Sequence, residues 1–375
     1  MTQPPQLLSS LGKVISKDDS DILSIARFLM IASLVIHHVF TIPNSGFFPR
    51  FSLTDETISA ANILNALLHW SSMAAVPTLS IASGFLFFSS SRSYSEKFRR
   101  RILTVILPTL FWCAIWFEVS YILYIVGHEK GLFEWANYGF ESPSIMTIIN
   151  GIFGITETPF AFQFWFIHDL ILTICLAPII NLTLNKAYWP TLIALAVVWI
   201  GDLIPSPFFS GNVLMFFTLG AALQKKALSL EGAINTLWPF KYLVLILFGL
   251  ALVGRAFNGY IHEWLAGYQF LCVLRVLGVM SCGLIILGGY KRNFRIFSTI
   301  KSLSPYSFFI FAAHYPTIEI IKIIIQRLPG QSTEIGLILS LAFIPALTIA
   351  LCILGALTLR RLIPRLYNIL NGQRS

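Results

Sequence analysis

The chain has 375 residues, 56% of them hydrophobic and only 11% charged, with a mean hydropathy of +0.76. Soluble domains carry about a quarter of their residues as charges, so this composition excludes a soluble globular protein and points to a membrane one. The net charge of +9 does not indicate a nucleic-acid partner, because the basic residues sit at the ends of apolar segments rather than along one polar face.

Met1 to Ser20 is polar and mixed in charge, so the first apolar run is expected to stay as an anchor rather than be cleaved as a signal peptide. Crossing about 30 Å of hydrocarbon takes about 20 apolar residues. Ten runs are candidates: Ile22 to Ile42, Leu67 to Ser89, Ile102 to Val126, Phe162 to Leu184, Trp189 to Ile204, Val213 to Gln224, Tyr242 to Arg255, Tyr268 to Gly289, Leu303 to Ile325 and Ile335 to Leu359. The fifth to seventh are short, and are expected to be tilted, broken or extended by flanking residues. Between the third and fourth runs, Gly127 to Thr158 contains the apolar piece Ile145 to Ile155, which is too short to span. It reads as an interfacial or re-entrant helix, either walling a cavity or capping the bundle.

The expected fold is an all-α integral membrane protein, a polytopic bundle of about ten transmembrane helices with both termini cytosolic. With the N-terminus inside, all but six of the 26 Lys and Arg residues fall on the inner side; the exceptions are Arg50, Lys130, Arg255, Arg275, Lys322 and Arg327. No repeat or sizeable soluble part interrupts the chain. Residues 1–375 therefore read as one membrane domain, with a cytosolic segment at 1–20 and a cytosolic tail at 360–375. Cys113, Cys175, Cys272, Cys282 and Cys352 lie inside apolar runs without C-x-x-C spacing, which indicates neither disulfides nor structural zinc. With no H-E-x-x-H, no metal site is expected.

The first run places Arg27, His37 and His38 in a hydrophobic helix, where such groups are costly and usually functional. Eleven helical steps carry Arg27 to His38 roughly 20° past three full turns, so the two share a face about 16 Å apart, while His37 lies roughly 80° away. Further ionisable groups fall in the outer half of the spans: Glu118 in the third, His168 and Asp169 in the fourth, Arg275 in the eighth, and His314, Glu319 and Lys322 in the ninth. Glu319 and Lys322, three apart, can pair with each other. An isolated charge at such depth costs about 3 kcal/mol or more unless paired or wetted, so their gathering implies a shared water-accessible site.

On the inner side, Ser91 to Arg101 ends in Arg99-Arg100-Arg101. Three arginines at a membrane boundary serve either to enforce orientation or to bind phosphate, since planar guanidinium forks grip phosphate oxygens two at a time. Neither G-x-x-x-x-G-K-[ST] nor G-x-G-x-x-G occurs, so no ATPase or Rossmann site is indicated.

Together these stretches resemble the acyltransferase-3 family. Arg27 and His38 match its R-x(10)-H, and Arg99 and Arg101 its cytosolic R-x-R, followed by an apolar helix with an early proline, Pro108. Phe164 to Leu170 is similar to the family's W-F-[IL]-R-D-L, with His168 where arginine is common and Asp169 matching; Phe311 to Pro316 resembles its late aromatic segment with a histidine before proline. The resemblance implies transfer of an acyl group, most often acetyl from acetyl-coenzyme A, to a hydroxyl of an envelope glycan or lipid-linked saccharide. It implies a multi-pass protein of a bacterial cytoplasmic membrane, with acyl-CoA, the saccharide acceptor and membrane lipids as partners, no nucleic acid, and no tightly bound cofactor. Having no appended esterase-like domain, the chain would complete the transfer alone or pass the acyl group to another protein.

On that reading His38 is the catalytic imidazole, either taking the proton of the attacking hydroxyl or carrying the acyl group itself, with Glu118 or Asp169 as orienting carboxylate. Arg27 holds the donor or stabilises developing negative charge. Arg99, Arg100 and Arg101 bind the donor's phosphates, and His168, Arg275, His314 and Glu319 the acceptor. The rival is a transporter or flippase, which would favour inverted halves with matched broken helices; none is discernible.

Overall fold

The computed structural model describes residues 15–40, 58–127, 136–157, 159–204, 209–330 and 333–373; Arg50 and Lys130, counted on the outer side, lie outside them. Among the described residues there is helix and no strand. Helix α1 (Lys17–Phe40) carries Asp18 and Asp19 in its first turn, where the helix dipole favours acids. Helix α2 (Ala60–Ser71) begins on the Ser59 side chain, which accepts the Asn62 amide, and a 3-10 turn joins it to α3 (Ala75–Ser89). Helix α4 (Tyr94–Arg101) starts from a capping box of Ser93 and Glu96. It continues through a π-helical stretch, Ile102–Ile106, into α5 (Leu107–Gly127), where Pro108 has no N–H to continue the ladder.

A second capping box, Ser144 with Thr147, starts α6 (Ile145–Phe153), which ends on Gly154 at φ +62°. Helices α7 (Trp165–Cys175) and α8 (Ala177–Lys186) meet at a bend of 55°, explained by Pro178, which cannot bond the carbonyl of Ile174. There follow α9 (Tyr188–Ile200), α10 (Gly211–Lys225), α11 (Leu230–Asn235), α12 (Lys241–Ala256), α13 (Asn258–Ile261), α14 (Tyr268–Lys291), α15 (Arg295–Leu303), α16 (Ser307–Gln326), α17 (Glu334–Leu362) and α18 (Pro364–Leu370).

Among the described residues, seven helical stretches are long and apolar enough to cross a membrane, and the bent α7–α8 pair makes up to eight. Among the described residues each of the ten expected runs contains helix, but α9 with 13 residues, ending at Ile200, and α10 with 15 fall short of that length. The expected seventh run gains a preceding turn and reaches 19 residues, Trp238–Ala256. The second starts at Ala60 rather than Leu67, because the polar Asn62 and Asn65 mask the apolar pattern of its first turns.

Helix α1 is the axis of the bundle, touching α2, α3, α11, α14, α15, α16 and α17. The closest crossing is that of α3 with α10: a Cβ on Gly84 would overlap the Phe217 carbonyl oxygen, and one on Gly220 that of Ile81. Small residues permit this approach of two backbones, the usual way helices pack where lipid competes for apolar side chains. Large apolar side chains are exposed along the outer faces of α9 (Ile193, Val197), α12 (Ile246, Leu250) and α17 (Leu339, Phe343, Leu354), a surface suited to hydrocarbon and not to water.

The bundle has two chemically distinct ends. Where α1 starts, Tyr290 donates to Asp18 at 2.7 Å, Lys301 pairs with Asp21 at 2.6 Å and the Glu231 amide donates to Asp19 at 3.0 Å. Lys291 pairs there with Glu231 at 3.1 Å, and Lys225 of α10 bonds Asn185 of α8 at 2.9 Å. This is the basic end. At the other end, where α1 finishes, the Ala60 amide donates to Glu334 at 2.6 Å and the histidines gather.

Candidate active site

At the basic end, α4 and the turn before it present Arg92, Lys97, Arg100 and Arg101 to a cavity of about 300 Å³. Thr104, Gly372 and Gln373 complete its wall. The Lys97 ammonium lies 5.1 Å from the Phe87 ring and 5.3 Å from that of Tyr94, which fixes it at the cavity edge. Arg99 is exposed and outside this lining, so it is Arg100 and Arg101 of the triplet that face the cavity.

Leu86 and Arg101 also line a second cavity, of about 230 Å³, which runs deeper into the bundle. Its other walls are Arg27 of α1, Ser83 of α3, Phe166, Ile167 and Leu170 of α7, and Ser307, Phe308 and Phe311 of α16. Among the described residues neither Arg27 nor Arg101 has a carboxylate partner, and the two charges act on each other. Two unneutralised guanidiniums facing one cavity inside an apolar bundle are a site for an anion.

Phe311 leads onward. Its ring lies 6.2 Å from that of His314, one turn along α16, and His314 stacks on His38 with centroids 5.2 Å apart and planes at 25°. His38 is buried, closed in by Phe162 at 5.0 Å and His37 at 5.3 Å, and its Nδ1 has no hydrogen-bond partner among the described residues. Arg27 and His38 thus both face α16, as their spacing along α1 implies. His37 faces α2 instead: it stacks on His69 at 4.4 Å, and its Nδ1 lies 2.8 Å from the Ser72 hydroxyl. That hydroxyl donates to the His69 carbonyl, so it accepts from His37 Nδ1–H.

The segment holding His314 is shaped by a proline. Pro316 has no N–H to offer Ala312, and Tyr315 leaves helical geometry at φ −108°, ψ 128°. The released Ala312 carbonyl accepts from Trp116 Nε1 at 2.7 Å and from Gln163 Nε2 at 3.3 Å; Gln163 also reaches the Tyr315 carbonyl at 3.2 Å. His314 Nδ1 lies 2.7 Å from the Phe311 carbonyl and 3.2 Å from that of Ile310. A carbonyl only accepts, so Nδ1 carries the proton and Nε2 is bare.

Of the other expected site residues, Glu319 lies within electrostatic reach of His38 through its partner Lys322, and the rest are placed elsewhere. Asp169 and His168 line a separate cavity of about 240 Å³ between α5, α6 and α7, so α6 does wall a cavity. The Asp169 carboxylate accepts the Ser210 amide at 3.0 Å, at the start of α10, and does not orient His38. Glu118 is exposed on α5, because its neighbours Phe117 and Ser120 take the inward face; it makes no hydrogen bond or ion pair among the described residues. Arg275 is half-buried on α14, its guanidinium 5.7 Å from the Tyr268 ring centroid, in no contact with the stacked histidines. Glu319 pairs with Lys322 at 2.8 Å, both buried, beyond the kink of α16. Among the described residues no three His, Cys, Asp or Glu side chains gather as for a metal ion.

Sequence reasoning overlooked His69, Gln163 and Trp116. For His69 the signal was present, an imidazole one step from Trp70 in a membrane segment. Gln163 and Trp116 matter only because Pro316 frees a carbonyl, which spacing along one chain segment does not reveal.

A multi-pass helical membrane protein with two adjoining arginine-lined cavities and, further along the same bundle, a pair of stacked imidazoles is thus defined, an arrangement suited to group transfer from an anionic donor. The family model described as "Acyltransferase domain" matches residues 21–357, so the chain belongs to the acyltransferase-3 family and is an O-acyltransferase. It is similar to the succinoglycan biosynthesis protein ExoH of Rhizobium meliloti (strain 1021), with 24% identity over 364 residues covering 94% of this chain and 92% of that protein. No solved structure matches.

Proposed function

We propose that the protein moves an acyl group, in the first instance acetyl, from cytosolic acyl-coenzyme A to a hydroxyl of a cell-envelope glycan or its lipid-linked precursor. The carrying observation is the pair of adjoining cavities that share Arg101, the inner one walled by Arg27 on the His38 face of α1 and by Phe311, whose ring lies 6.2 Å from that of His314. Coenzyme A is a polyanion with a long uncharged arm. Its phosphates suit Arg92, Lys97, Arg100 and Arg101, and its arm suits the narrower passage beside Arg27, so that the thioester meets His38 about 16 Å further along α1.

The acceptor approaches from the histidine end, which requires the basic end to be cytosolic, in keeping with ten crossings of a bacterial inner membrane and both termini inside. The similarity to a protein named for succinoglycan biosynthesis supports a polysaccharide, or a lipid-linked unit of one, as acceptor. Donor and acceptor then meet at the imidazoles from opposite sides, and nothing need cross the membrane but the acyl group.

The test is to incubate the purified protein in lipid nanodiscs with radiolabelled acetyl-coenzyme A and a lipid-linked saccharide extract. Label is expected in the saccharide, in an ester released by mild base. Movement of saccharide across vesicles without label in it would replace this reading with that of a transporter.

A further inference from the structure

We propose that His314 is a catalytic residue, the base of a two-imidazole site in which His38 carries the acyl group from donor to acceptor. The proposal rests on the acyltransferase reading above and deepens it by dividing the chemistry between two rings that the bundle stacks 5.2 Å apart.

The division follows from how each ring is held. His314 is fully buried, and its Nδ1–H is fixed on the Phe311 and Ile310 carbonyls, 2.7 and 3.2 Å away. A proton taken up can therefore reside only on Nε2, which is buried without a partner. The imidazolium so formed is stabilised by the two carbonyl oxygens, the help that a base needs and that an orienting carboxylate commonly gives. The kink at Pro316 is braced by Trp116 and Gln163, so the carbonyls and ring stay in register. His38 has no such support: its Nδ1 bonds nothing among the described residues, Asp169 is engaged by the Ser210 amide, and Glu118 is exposed on the outer face of α5. Imidazoles serve in either role, so the braced ring is assigned the proton and the unbraced one the acyl group.

The reaction then runs in two balanced steps. A ring nitrogen of His38 bonds to the thioester carbonyl carbon as the C–S bond breaks. The electron pair leaves on sulfur, which takes the proton released by the other His38 nitrogen, giving free coenzyme A and an acyl-imidazole. The acceptor hydroxyl next gives its proton to His314 Nε2 as its oxygen bonds to the acyl carbon. The C–N bond breaks, its electron pair returns to His38, and the proton on His314 passes back to the His38 ring, leaving both imidazoles neutral.

Radiolabelled acetyl-coenzyme A distinguishes this scheme from its rivals. In His314→Gln, transfer to the saccharide extract is expected to fall by at least about a hundredfold. Donor binding and membrane abundance should be kept, and label should accumulate on the protein in a form released by hydroxylamine. His38→Ala and the double variant should hold no label. Wild-type protein freed of acceptor should hold it too, which tests the His38 half of the scheme independently of how His314→Gln folds. Transfer by His314→Gln within about threefold of wild type, or loss of transfer together with donor binding, reduces His314 to a structural role and overturns the proposal. So does a wild type that acetylates saccharide yet never holds label. A wild type that neither holds label nor acetylates any saccharide overturns instead the functional reading beneath it.

Discussion

One residue of rotation along α1, about 100°, separates two histidines with different surroundings. His38 stacks on His314 and shares the Arg27 face of the helix, whereas His37 is tied to Ser72 and stacked on His69. His38→Ala is therefore expected to lower acetyl transfer by at least about a hundredfold with donor binding intact, and His37→Ala by less than about tenfold. A labelled-transfer assay on both, normalised to membrane abundance, checks this; an active His38→Ala beside a dead His37→Ala would reverse the facing of the helix. The arginines give a second comparison. Arg101→Ala should weaken acetyl-coenzyme A binding and flatten its salt dependence, while Arg99→Ala, which alters an exposed residue outside both cavities, should do neither. Equilibrium binding at two ionic strengths decides it, and equal losses in the two variants would refute the assignment. Arg27 and His38 were legible in the sequence because both lie on one helix, where spacing gives direction. Glu118 and Asp169 were not, because hydropathy yields depth but not which neighbour a helix face meets: Asp169 turned out to serve the first turn of α10.

At the scale of helices, close packing depends on two glycines whose importance no single helix reveals. Replacing Gly84 by Ala would drive a methyl into the Phe217 carbonyl, and Gly220→Ala one into that of Ile81. Backbone cannot swing aside as a side chain can, so each should cost at least ~1–3 kcal/mol and lower the melting temperature in detergent. Gly249 of α12 has nothing within 4 Å of its would-be Cβ, and Gly249→Ala should be neutral or stabilise by up to ~1 kcal/mol through helix propensity. Thermal unfolding of the three variants side by side is the measurement, and a Gly84→Ala as stable as Gly249→Ala would contradict the crossing. The apolar runs themselves were readable, since hydrocarbon demands length and composition that no other setting does. The bend at Pro178 and the kink at Pro316 sit at visible prolines, yet what each opens depends on the neighbours that take up the released carbonyls.

For the whole molecule, orientation decides which substrate reaches which cavity. The basic loops converge on one end: α1 starts there, α4 carries its arginines there, and Lys291 and Lys301 reach acids of α11 and α1. The shortness of α9 and α10 bears on parity, since losing one crossing would invert everything after it. The contact between Asn185 and Lys225 removes that ambiguity, because the chain leaves the basic end after α8 and is back at it after α10 whatever depth it reaches between. Positive loops are retained on the cytosolic side, so the basic end is expected inside. With the native cysteines replaced, Ser95→Cys before the arginine triplet should be silent to an impermeant thiol reagent added to intact cells and should react in inverted vesicles. Arg327→Cys, exposed just beyond α16, should show the opposite. Asn44 and Ser332, which the sequence also puts on the outer side, lie outside the described residues. Labelling of Ser95→Cys from outside would place the phosphate-binding cavity where no coenzyme A is made, and the functional reading would fall with the orientation.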